Sequence, residues 1–463
     1  MRPKKPVGFA AWISLWFVTG SGFFCETGYA AEPPGTLVKL EAYAGPATVA
    51  STSLGLHKLE LVVEPKTERA PLVIRVELPI TGPHAWPIAD VEVRDGYDQA
   101  VAVRRGGIEW HKLLIPVPAE RATYVVQAAK PPESLPALPS ERRRSLADPA
   151  TGLHLGIARW YDGRRAALSI RFDDSHPSHL STVIPLLREY GFRGTFMINP
   201  GTAEPGSRQR LDFEVHRAEW EACARRADQE FANHTAHHRG AGSDAAMEAE
   251  IREAAEVIWR LSPGRSKLAA LNLGGGTMWE TTRPLRYYLD KYFLFDASQN
   301  SMGMDDAYGN RVAAFRKALE QHIQRGLWLR VHYHSIGEGL SSSEANFRAV
   351  LDIAGEHEGV LWIAGMADIY KYQSARNGAA LLPLESDSGR LSFQLKCLTD
   401  PELYDQPLTL EIAGPASRAQ DKVEVTDAQG AVIPIRVVES VDSAVLRCEV
   451  AAQTAIYTVR LLP

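Results

Sequence analysis

Between residues 167 and 364 short apolar runs alternate with helical stretches, and this alternation constrains the fold of the 463-residue chain more than any other feature. Seven runs read as strands, at 167–172, 194–198, 230–233, 268–273, 293–295, 327–333 and 360–364. Helical patterns follow most of them, at 180–190, 245–261, 281–291, 310–325 and 343–357. Strands that are apolar on both faces and joined through helices form a parallel sheet covered on both sides. The expected core is therefore α/β, a distorted (β/α) barrel of about seven strands. In such a barrel function sits on the loops at the C-terminal strand ends.

The flanks have a different texture. Runs such as Leu59-Glu60-Leu61-Val62-Val63 and Leu408-Thr409-Leu410-Glu411-Ile412 are short, β-rich and broken by Pro and Gly, which suits antiparallel sandwiches. The expected order is a signal peptide at 1–30, a β-sandwich-like module at 31–140, the barrel at 150–377 and a second β-sandwich-like module at 385–463. The two modules share a pattern. Val91-Glu92-Val93-Arg94-Asp95 stands 33 residues before Tyr124-Val125-Val126, and Val423-Glu424-Val425-Thr426-Asp427 stands 34 before Tyr457-Thr458-Val459. One module used twice would give this spacing.

Arg2, Lys4 and Lys5 precede an uncharged, largely apolar stretch from Val7 to Phe24, and Gly28-Tyr29-Ala30 then offers a small-residue cleavage site. This is the layout of a secretory leader, so the expected location is secreted or periplasmic, with no stable membrane insertion after cleavage. In an oxidising compartment Cys397 and Cys448 are candidates for a disulfide that spacing alone leaves open. Cys223, in a helical context, reads as a buried small hydrophobe. Lys plus Arg is 51 against 56 for Asp plus Glu, with no basic run beyond the leader. Nucleic acid is excluded as a partner on these grounds.

The strand ends carry the chemistry. Asp173-Asp174-Ser175-His176 follows the first strand, His234-Thr235-Ala236-His237-His238 the third and Gly274-Gly275-Gly276 the fourth; Asp296 follows the fifth, and His332-Tyr333-His334 ends the sixth. One carboxylate and two histidines make a ligand set for Zn²⁺ that leaves a position open for water. Asp174, His234 and His238 are the candidate ligands. Asp173, beside them, is placed to take a proton from that water, and a histidine across the rim to return one to a leaving group. A serine nucleophile based on Ser175 and His176 is disfavoured, because adjacent residues pair poorly and no G-x-S-x-G elbow occurs.

The segments Ser169-Ile170-Arg171-Phe172-Asp173-Asp174-Ser175, Gly191-Phe192-Arg193-Gly194-Thr195-Phe196-Met197 and His234-Thr235-Ala236-His237-His238 resemble those of NodB-type polysaccharide deacetylases (carbohydrate esterase family 4-like), over roughly residues 155–375. The resemblance implies Asp173 as catalytic base, Asp174, His234 and His238 as metal ligands, and His334 as acid, with His332 on the same face of the strand as its rival. It implies a divalent metal, Zn²⁺ being expected, and an acetylated polysaccharide or oligosaccharide that loses N-acetyl or O-acetyl groups as acetate. Two departures stand out. Ser175 replaces a glycine, and Leu271-Asn272-Leu273-Gly274-Gly275-Gly276 replaces an Arg-x-Pro motif whose Arg orients the base; Arg171 and Arg239 are the candidates to substitute for it. The alternative is a glycan-binding protein on a deacetylase-like barrel with weak or no catalysis, with Trp160, Trp279 and Trp362 as stacking faces.

Overall fold

The seven expected strands form, each within two residues of its expected limits. In the computed structural model they are β1 (Ala166–Phe172), β2 (Thr195–Ile198), β3 (Glu230–Asn233), β4 (Ala269–Leu271), β5 (Leu294–Asp296), β7 (Trp328–Tyr333) and β8 (Leu361–Ile363), and the two-residue β6 (Met302–Gly303) joins them. The structure describes residues 39–462 apart from 45–46, 56, 67–71, 80–85, 87–90, 98, 102, 104–111, 119, 129–143, 204–210, 276, 338–340, 415–422 and 440–443. The expected leader at 1–30 lies outside the described residues, which all fall in one compact unit, Leu37–Pro463. No described helix is long and apolar enough to cross a membrane.

The sheet is parallel throughout, in the order β5-β4-β3-β2-β1-β7-β6, with β8 also paired to β1. It is a distorted (β/α) barrel. Nearly all of β1 pairs with β7, from Ala167 opposite Trp328 to Phe172 opposite Tyr333. Its other edge is shared, Ala166–Leu168 with β8 and Arg171–Phe172 with β2. Every residue of β1 is buried. Leu168, Ile170 and Phe172 pack outward with Leu187, Phe315, Leu319, Phe347 and Leu351 of the surrounding helices. By strand alternation Ser169, Arg171 and Asp173 face the interior.

The helices depart from expectation in instructive places. The first opens with a π turn over His179–Val183 before the α-helix Ile184–Glu189. The helix expected from 281 starts at Leu285, behind Pro284, while Asp244 accepts from the Thr282 and Arg283 amides. A helix at Met366–Asn377 follows β8, and no helix separates β5 from β6, so the alternation is not strict.

Both flanks are sandwiches. The N-terminal module packs a three-stranded sheet on a four-stranded one, with Leu61, Val63, Ile74, Val76, Ile115 and Val126 at its centre. The C-terminal module has two five-stranded sheets, and one of them takes Ser145–Ala147 and His154–Ile157 from the segment ahead of the barrel. The boundary expected at residue 150 is corrected accordingly: Leu155 and Ile157 alternate into the sandwich core beside Leu410 and Ile412. The repeated pattern builds the same unit twice. Val93 pairs with Val126 and Asp95 with Tyr124, as Val425 pairs with Val459 and Asp427 with Tyr457. In both, the aspartate Oδ1 accepts from the amides two and four residues on, each at 2.9 Å.

Cys397 and Cys448 do not pair; with Cys223 they are free and buried. They lie on opposite sheets of the C-terminal sandwich, and Cys397 Sγ lies 3.3 Å from Thr399 Oγ1 instead.

Phe172 ties this scaffold to its rim. Its fully buried ring stacks on Phe196 and Tyr333 at 5.1 and 5.6 Å and meets Phe347 edge-on at 5.7 Å. Phe172→Ala is expected to cost about 3–5 kcal/mol of barrel stability, as for other buried aromatics cut to alanine. Urea unfolding followed by tryptophan fluorescence would show this, and a transition at the wild-type midpoint would contradict the assignment.

Candidate functional site

The site is assembled where β1 and β7 leave the sheet. The Asp173 amide still donates to the Tyr333 carbonyl at 2.9 Å, extending the parallel register one residue past Phe172. The chain then turns sharply, with Asp174 and Ser175 at φ 74° and 57°, in the left-handed region that glycine enters most easily. The buried Ser175 hydroxyl accepts from the Asn199 amide at 2.9 Å. The His176 ring lies 3.7 Å from Asp174 Oδ2 and 3.7 Å from Asp212 Oδ2.

The three candidate ligands converge. Asp174 Oδ1 is 3.1 Å from His234 Nε2 and 3.8 Å from His238 Nε2. One donor atom from each of the three lies within 4.8 Å of the others. His234 Nδ1 is 2.8 Å from the Asn272 carbonyl, which can only accept. Nδ1 therefore carries the proton, and the Nε2 lone pair faces Asp174, the tautomer a metal-ligating histidine needs. These residues fit a divalent ion of the Zn²⁺ type. His238 depends on Gly274, which has φ +75° and where a Cβ would stand 2.1 Å from His238 Nε2. His237 points away: its amide and Nδ1 meet Glu250 at 2.8 and 2.9 Å.

Burial acts upward on the Asp174 carboxyl, but the neighbouring His176, His234 and His238 outweigh it and hold the group well below the usual carboxylate range. Asp173 is 3% exposed. Its Oδ2 accepts from Arg171 Nη2 at 2.9 Å and Asn272 Nδ2 at 3.3 Å, whereas Oδ1 is buried with no partner among the described residues. Burial again acts upward; the Arg171 guanidinium, with His234 and His332, prevails and lowers the Asp173 carboxyl. Arg171 also donates to the Ala297 carbonyl at 2.9 Å. The partner of Asp173 thus comes from two residues earlier on the same strand, while Arg239 is engaged by Glu250 at 3.0 Å.

The two histidines of β7 are in opposite states. His334 Nδ1 is 2.7 Å from Asp305 Oδ2, and its amide donates to Asp305 Oδ1 at 3.1 Å. The hydrogen bond to the fully buried Asp305 raises its pKa, against the pull of burial. His332 Nδ1 is 3.0 Å from Ser301 Oγ. Burial, then the nearby Arg171 charge, push His332 down to about 4. His334 is thereby the better proton donor.

Several participants were not singled out in the sequence. Asp305 sits just after β6, a strand too short to carry a periodic signal. Asn272 touches both Asp173 and His234. His179, buried against Phe172, Phe196 and Trp220, makes a hydrogen bond from Nε2 to the His334 carbonyl, and burial keeps it neutral, with a pKa near 4. Asp296 is exposed and accepts from the Ser298 amide at 2.9 Å, within its own loop. Of the three tryptophans considered as stacking faces, Trp160 is buried and donates to the Gly326 carbonyl at 3.2 Å. Trp362 packs against Tyr161 and Tyr372, at 5.4 and 5.5 Å. Trp279 is half-buried.

Residues 161–286 match the model of the polysaccharide deacetylase family. A gellan lyase from a Bacillus species is 23% identical over 320 residues, which cover 60% of this chain and 12% of that one, so the chain spans only 12% of the relative's length. Among solved structures, a family 4 carbohydrate esterase from Streptomyces lividans in complex with acetate is 20% identical with a TM-score of 0.32, over 44% of this chain and 94% of its own. The chitin deacetylase of Colletotrichum lindemuthianum is 16% identical with a TM-score of 0.33, over 46% of this chain and 90% of its own.

Zn²⁺-loaded protein is expected to retain about one equivalent of metal by elemental analysis, and His234→Ala to lose it. Gly274→Ala keeps every ligand but crowds His238, so its Zn²⁺ affinity should fall about 10- to 100-fold. Competition with a chromogenic chelator measures this, and wild-type affinity in Gly274→Ala would contradict the role given to His238.

Proposed function

Because residues 161–286 match the model of the polysaccharide deacetylase family, we propose that this protein is a secreted or periplasmic, metal-dependent deacetylase. It hydrolyses N-acetyl or O-acetyl groups of an acetylated polysaccharide or oligosaccharide and releases acetate. The observation that carries the reading is the state of Asp173, its pKa lowered and its Oδ2 fixed while Oδ1 has no partner among the described residues, one residue from Asp174.

Asp174, His234 and His238 would hold a divalent ion, which would supply Lewis acidity toward the acetyl carbonyl and acidify a water molecule. The protein's own groups move the protons. Asp173 Oδ1 accepts a proton from the attacking water, and Arg171 keeps the carboxylate ionised until it does. His334 Nδ1 is committed to Asp305, which leaves Nε2 to protonate the departing amine or alcohol. Water and the acetylated sugar give acetate and the free sugar group. The rival reading, a glycan-binding barrel without catalysis, is weakened because Asp173 has an arginine partner, Arg171 at 2.9 Å, although the Arg-x-Pro motif is missing.

The alkaline limb of kcat/KM reports the loss of the His334 proton in this scheme. Asp305→Asn removes the carboxylate that raises the His334 pKa, so the limb should move to lower pH. His334→Ala should lower kcat by about 10²- to 10⁴-fold. Acetate release from acetylated xylan and N-acetylchitopentaose across pH is the measurement. An alkaline limb unmoved in Asp305→Asn would count against His334 as the acid.

A further inference from the structure

The turn that presents Asp305 to His334 also presents an aromatic ring to solvent. The Tyr308 amide donates to the Asp305 carbonyl and the Gly309 amide to that of Asp306, both at 3.0 Å. The Asp306 carboxylate accepts from the Ser343 amide (2.9 Å), Asn346 Nδ2 (2.9 Å) and Ser342 Oγ (3.1 Å), anchoring the turn to the start of the helix Glu344–Glu356. From below, Arg311 Nε donates to the Gly303 carbonyl at 2.7 Å and steadies β6.

The Tyr308 ring rests against β6 at Gly303. A Cβ on Gly303 would lie 2.8 Å from Tyr308 Cε2 and 3.4 Å from His332 Cε1, so the ring and His332 flank the same point of β6. It is nevertheless 50% exposed. Its hydroxyl makes no hydrogen bond among the described residues. A tyrosine with one side on backbone and the other in water, on a turn tied to three neighbouring elements, loses little conformational freedom when a ligand covers it.

We propose that Tyr308 is the platform of a sugar-binding subsite, receiving the C–H face of a pyranose ring adjacent to the one that loses its acetyl group. The subsite rests on the deacetylase reading for the polymer it serves, but not for the stacking itself. It lies on the acid side of the site, so the sugar it holds positions the leaving amine or alcohol toward His334.

Affinity electrophoresis through gels containing soluble acetylated xylan or glycol chitin tests the platform with wild type, Tyr308→Ala and Tyr308→Trp. Tyr308→Ala should bind about three- to tenfold more weakly in the gel that retards wild type, and Tyr308→Trp should restore retardation. Equal retardation of Tyr308→Ala and wild type, or no retardation of wild type in either gel, would overturn the subsite. Acetate release by wild type, assayed in parallel, separates the two claims. Tyr308-dependent retardation without acetate would sink the deacetylase reading alone, and acetate release with Tyr308-independent retardation would sink the subsite alone.

Discussion

The site depends on one constraint, the parallel register that sets Phe172 of β1 opposite Tyr333 of β7 and Phe196 of β2. Three stacked rings close the sheet just below the rim, and the residues following two of them are Asp173 and His334. Because side chains alternate along a strand, a slip of one residue in β1 would turn Arg171 and Asp173 out of the barrel. The aromatic layer therefore fixes the distance between Asp173 and His334 as well as stabilising the fold. His179 reinforces it from outside, with its ring on Phe172 and its Nε2 on the His334 carbonyl.

Within that frame, local charge assigns different roles to chemically identical groups. Asp173 and Asp174 are adjacent carboxylates, but one is clasped by Arg171 and the other faces three imidazoles. His332 and His334 share a strand face, yet only His334 has a buried carboxylate partner. A side chain's neighbour decides whether it holds a proton at neutral pH, and such differences mark functional sites. Tyr308 shares its turn with that carboxylate partner, so the proposed substrate platform and the support of His334 are one structural unit.

Much of this was legible in the sequence. The alternation of apolar runs and helical stretches located seven barrel strands to within two residues, because a strand buried on both faces leaves an unbroken apolar run. Asp173, Asp174, His234, His238 and the His332/His334 pair were recognisable as rim residues, since strand ends can be read once strands are placed. What escaped lacked a local signal. β6 has two residues and no periodicity, which hid Asp305 and Tyr308 behind it. The strands Ser145–Ala147 and His154–Ile157 join a sheet whose other strands lie more than 250 residues later, a pairing no local pattern encodes. Arg171 stood in plain sight. Its contact with Asp173 follows from their spacing of two along a strand, a rule that applies to this pair as it does to His332 and His334.

The central claim is that Asp173 moves a proton while its neighbours hold a metal, and Asp173→Asn separates the two functions with little change in shape. The most direct measurement is made on that variant, pairing zinc stoichiometry by elemental analysis with acetate release from acetylated xylan and N-acetylchitopentaose. The account predicts wild-type zinc content with acetate release lowered by about 10²-fold or more. Full acetate release from zinc-loaded Asp173→Asn would contradict it.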